Sequence, residues 1–114
     1  MKLINKNNSK TLSSKVHIAK NFSSRLKGLM FSNPLEGDHC LWISQCKSVH
    51  SCFMKFTLDI LFVDKKLKVV KIITDFKPWR VTSICMKSDS VFEFSAGKLN
   101  NIKVGDHLLV QKTE

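Results

Sequence analysis

From Cys40 onward the chain is a series of short apolar runs separated by polar links. CLWIS (40–44), DILFV (59–63), KVVKIIT (68–74), VTSICM (81–86), SVFEFS (90–95) and HLLVQ (107–111) each have the length and the β-branched or aromatic content of a strand. DILFV and KVVKIIT are joined by the short polar link DKKLK and read as a hairpin. In SVFEFS the period of two puts Glu93 on the face opposite Phe92 and Phe94. Upstream, KLIN (2–5) and KVHIAK (15–20) are brief and lysine-flanked, with the turn-like KNNSK (6–10) between them. They predict an edge hairpin over residues 1–20, where lysines discourage pairing with another chain. NFSSRLKGLMF (21–31) is the best helix candidate: Asn21 or Ser23 can cap it, and Phe22, Leu26, Leu29 and Met30 fall near one face. SNPLEGD (32–38) interrupts regular structure, and AGKLNNIKVGD (96–106) carries turn signals at Gly97 and Gly105 with room for one helical turn. The pattern predicts a mainly β fold, a small antiparallel β-sandwich or jelly-roll-like barrel with one or two short α-helices. Repeated strand–helix alternation, the mark of a parallel α/β sheet, is missing.

Length and composition leave this picture intact. The 114 residues suit one domain spanning 1–114, and 43% hydrophobic with 25% charged residues is globular composition. The net charge of +10 raises the question of an anionic partner. All but Arg25 and Arg80 of the 19 basic residues are lysines spread along the chain, so a solvated surface is favoured over sequence-specific nucleic-acid binding. No apolar run is long enough for a signal peptide or a membrane span, so a cytoplasmic monomer or weak dimer with reduced cysteines is expected.

The segment CKSVHSCFM (46–54) gathers two cysteines, a histidine and a methionine. On a helix, Cys46, His50 and Met54 would share a face and could hold a soft metal ion. On a strand, Cys46 and Met54 lie roughly 26 Å apart, and only neighbours such as His50 and Cys52 could share an ion. Val49, Phe53, Phe56 and Thr57 favour the strand, so packing is the simpler account. Cys46, His50 and Cys52 remain the candidate metal ligands, and no other cofactor is expected. His17, His39 and His107 stand alone in polar settings and read as solvated.

Five motifs then occur in order: RLKGLM (25–30), SVHSCFMKFTLDILFVD (48–64), KPWR (77–80), VFEFSAG (91–97) and VGD (104–106). Together, over about residues 25–110, they resemble the bacterial and archaeal family known as domain of unknown function 192. The resemblance implies a compact, mainly β protein and no established activity. Many relatives carry an export signal or lipoprotein leader. The family's typical positions fall on Arg25, Gly28, Leu29, Met30, Met54, Asp59, Phe62, Glu93, Gly97, Gly105 and Asp106. Cys46 and His50 match a branch with those residues upstream of the methionine. Leu67 stands where relatives often have glycine, so the DKKLK turn must differ or carry strain. Thr57 and Ser95 replace frequent prolines.

Arg25, His50, Met54, Asp59 and Glu93 are the candidate ligand-binding residues. Asp59 is an acid in an apolar run, and carboxylates converging near Arg25 would suit a polar ligand or acid–base chemistry. Asp106 after Gly105 reads as a turn residue instead. Three functions follow. The first is a non-enzymatic module for a small polar ligand or peptide. The second is a metal-dependent or two-carboxylate hydrolase, which requires Asp59 and Glu93 on one side of the fold. The third is lysine-mediated attachment to nucleic acid or an anionic surface.

Overall fold

The computed structural model describes residues 1–19, 37–51, 56–99 and 101–112. Among these, the strands are β1 (Lys2–Asn5), β2 (Lys10–Ser13), β3 (Val16–Ala19), β4 (Cys40–Ser44), β5 (Leu58–Val63), β6 (Val69–Phe76), β7 (Ser90–Ser95) and β8 (Leu108–Gln111). They form a three-stranded sheet in the order β2-β1-β8 and a five-stranded sheet in the order β3-β4-β7-β5-β6. The fold is thus mainly β with two sheets and no closed barrel among the described residues. They include no helix: 96–99 and 101–106 are turns, a bend and irregular backbone, and the helix expected over 21–31 lies outside them.

An N-terminal hairpin is present, but its second strand is Lys10–Ser13 rather than 15–20. The turn closes early because two asparagines cap it. Asn5 Oδ1 accepts from the N–H of Asn7, and Asn8 Oδ1 from that of Lys10, each at 3.0 Å. Residues 16–19 then cross to the other sheet and pair with β4 in parallel, so that sheet is mixed rather than purely antiparallel.

The alternation of β5 and β7 divides the core into two layers. Leu61, Val63, Phe92 and Phe94 face the small sheet and meet Leu3, Leu12 and Leu108. Leu58, Ile60, Phe62 and Val91 face the other way and meet Ala19, Leu41, Ile43 and Val49. All six β5 residues are buried, since the strand is covered on both faces. Burying a phenylalanine such as Phe62 or Phe92 is worth about 1.5–3 kcal/mol, so these two strands anchor the fold.

The β5–β6 hairpin forms as expected, with Asp64 organising its turn. One carboxylate oxygen accepts from the N–H groups of Lys66 and Lys68 at 2.9 Å. Leu67 sits at φ +62°, the left-handed position that favours glycine. It is held there by packing on the inner core and by its carbonyl, which accepts from Leu108 N–H at 2.9 Å.

Candidate functional site

Asp59 is buried on β5 and ties three strand ends together. Its Oδ1 accepts from Asp75 N–H at 2.9 Å and its Oδ2 from Gly97 N–H at 2.9 Å. The first donor belongs to a bulge in β6, where the register shifts and Asp75 has φ +57°. The second follows β7, where Gly97 has φ +85°. Hydrogen bonds to a charged acceptor contribute about 1.5–3 kcal/mol each, enough to hold both irregular turns. Asp59 and Gly97, two separate positions of the sequence pattern, are one structural device. Asp106 is a second: buried, it accepts from Asn5 Nδ2 at 2.9 Å and from Lys103 N–H at 3.0 Å.

Glu93 is fully buried on β7, directly opposite Ile60 and Leu41, and so faces the outer core layer. Asp59 is opposite Phe94, which belongs to the inner layer. The two carboxylates therefore occupy opposite faces of one sheet and do not form the convergent pair that two-carboxylate chemistry requires.

The candidates of the 46–54 segment have a different setting. Arg25, Cys52 and Met54 lie outside the described residues. Cys46 is half-buried at the edge of the outer core and donates its thiol to Ser48 O at 3.0 Å. His50, also half-buried, makes an isolated antiparallel bridge with Val81. No three His, Cys, Asp or Glu side chains converge among the described residues. Cys40 is buried in the inner core, where burial pushes its thiol up to about 12. Burial thus favours the protonated thiol at neutral pH, as in structural buried cysteines.

Residues 46–51 and 81–86, both expected as strands, are not strands. The two segments run against each other with side-chain hydroxyls taking ladder positions. Ser51 N–H donates to Arg80 O at 2.8 Å, and Thr82 N–H to Val49 O at 2.8 Å. Val49 N–H, however, donates to Thr82 Oγ1, and Arg80 N–H to Ser51 Oγ, each at 2.9 Å. The buried Ser88 hydroxyl donates to Cys46 O at 2.7 Å and fixes the far end. Hydroxyls compete with the backbone for partners, which is why these runs bend away from regular pairing.

This rim carries what the sequence reading missed. Trp79, Val81, Ile84 and Met86 are 63%, 73%, 67% and 74% exposed. Trp79 has φ +64°, rare for a bulky residue. Lys77, Arg80 and Lys87 lie in the same segment, and Lys47 joins it by donating to Met86 O and Ser88 O at 3.0 and 2.9 Å. No acidic residue occurs between Phe76 and Ser88. The available signal is KPWR followed by VTSICM, whose polar residues Thr82 and Ser83 are adjacent rather than alternating, so the run has strand composition without the strand period.

The family profile of DUF192, described as Uncharacterized ACR, matches residues 3–110. A UPF0127 protein of Pyrococcus abyssi is 32% identical over 111 residues, covering 91% of this chain and 92% of the relative. A UPF0127 protein of Pyrococcus horikoshii is 32% identical over 102 residues, covering 85% and 88%. In fold, the chain is similar to a protein of unknown function from Novosphingobium aromaticivorans, with TM-score 0.74, 18% identity and coverage of 96% and 82%. A Sinorhizobium meliloti protein proposed to be a transcription regulator gives TM-score 0.72 at 23% identity, covering 95% and 89%. The chain belongs to the DUF192 (UPF0127) family.

Proposed function

We propose that this DUF192 chain is a non-enzymatic binding module whose ligand is a short peptide carrying acidic and apolar side chains. The carrying observation is the rim itself: four large apolar side chains, Trp79 to Met86, are exposed within eight residues on a platform fastened by buried hydroxyls. Exposed apolar groups on a fixed backbone mark recognition surfaces, and tryptophan and arginine are the residue types most often dominant in them. Charge sets the ligand class. A groove of about 420 Å³ next to the rim includes Lys47, Lys65, Lys66, Met86 and Lys87 in its wall, with Asp64 and Asp89 as its acidic members. Acidic side chains in the groove and apolar ones on Trp79 and Val81 satisfy both halves of the surface.

Selection from a library of linear heptapeptides tests this. Enriched sequences are expected to combine Asp or Glu with Leu, Phe or Trp. Trp79→Ala and Arg80→Glu should each weaken them about 10-fold or more, in the range of interface anchors. Absence of enrichment, or equal binding by both variants, contradicts the proposal. A purely electrostatic surface would instead lose all affinity as salt rises and would be indifferent to Trp79→Ala.

A further inference from the structure

Two histidines distant in sequence meet on the face of the five-stranded sheet away from the small one. His17 lies on the edge strand β3, and His39 immediately precedes β4, its parallel partner. Both are half-buried, and His17 Nε2 lies 3.4 Å from His39 Nδ1 with ring centroids 5.3 Å apart.

We propose that His17 Nε2 and His39 Nδ1 form a two-imidazole site for a borderline divalent ion, Zn²⁺ above all. Two nitrogens each about 2.0–2.1 Å from a tetrahedral zinc lie roughly 3.3–3.4 Å apart, and the centroids of rings pointing straight at the ion lie about 5.2 Å apart. Both values match those of the pair. A ring–ring hydrogen bond is shorter, about 2.7–3.2 Å, and two rings pointing head-on at 3.4 Å would separate their centroids by roughly 5.7 Å. The centroids are thus closer than a head-on contact would leave them, with the rings tilted by 51°, and both nitrogens can reach a point between them. A square-planar ion would draw the nitrogens to about 2.9 Å, which favours zinc over Cu²⁺ or Ni²⁺.

Among the described residues no third ligating side chain joins the pair. Asp38 is already engaged, accepting from Ser14 N–H at 3.0 Å and from the Ser14 hydroxyl at 2.6 Å. Cys40 points into the inner core. With no converging group of three His, Cys, Asp or Glu side chains among the described residues, water would complete the coordination of the proposed ion.

Calorimetric titration of the metal-free chain with zinc chloride at pH 7.5, where imidazole is neutral, tests the site. One saturable event per chain is expected. It should weaken about 10-fold or more in His17→Gln and in His39→Gln and persist in His50→Gln. In parallel, imidazole ¹⁵N spectra of the unsubstituted chain should show zinc-induced shifts at His17 Nε2 and His39 Nδ1. This readout stands even where a variant fails to fold. No saturable event, unchanged affinity in folded His17→Gln and His39→Gln, or shifts confined to His50 would overturn the proposal.

Discussion

The sheet end around Asp59 and the rim around Trp79 both depart from regular β structure, and they do so for opposite ends. At Asp59 a buried carboxylate meets two backbone N–H groups, from Asp75 and Gly97, and draws two irregular turns inward. At the rim, hydroxyls of Ser51 and Thr82 satisfy the backbone internally, so the large side chains are turned outward. The same currency of polar groups closes one region and opens the other. A buried acid in an apolar strand is therefore not a site in itself; the question is whether its acceptors are already used by the chain.

Substitutions separate the two regions by size of effect. Asp59→Ala removes two charge-assisted acceptors and should lower unfolding free energy by about 2–4 kcal/mol, read from the urea midpoint at constant m-value. Thr82→Val keeps the shape but leaves Val49 N–H without its acceptor, at a cost of about 1–2 kcal/mol. Peptide affinity should fall with it, because the platform loosens. Leu67→Gly relieves a left-handed residue by about 1–2 kcal/mol but loses half-buried packing and gains glycine's unfolded-state entropy. Its net change in a thermal melt should stay within about 1 kcal/mol. Trp79→Ala should change stability least, within about 0.5 kcal/mol, while abolishing most peptide binding. A large loss of stability there would make Trp79 a core residue and erase the contrast.

Much of the architecture was legible. Period-two alternation placed Glu93 opposite Phe92 and Phe94, and the runs at 40–44 and 90–95 are the strands β4 and β7. The DKKLK hairpin formed, with the foreseen strain located at Leu67. What was illegible depended on competition between partners. Nothing in KLIN or KVHIAK says that Lys10–Ser13 reaches β1 first, because two asparagine caps decide it. VTSICM has strand composition, yet Thr82 spends its hydroxyl on the neighbouring segment. The placement of the candidate residues depends on pairings that a sequence does not display. Asp59 and Glu93 stand out in the sequence as acids within apolar strands, but their faces depend on register, which one strand alone does not fix. His17 and His39 looked solitary because a parallel pairing across an intervening segment brings them together.

Backbone amide shift mapping during titration with a selected acidic, apolar peptide tests the central claim most directly. The account predicts perturbations at residues 46–51 and 77–88, with Asp59, Asp75 and Gly97 unmoved. Shifts centred on Asp59 and Gly97, with the rim silent, would contradict it.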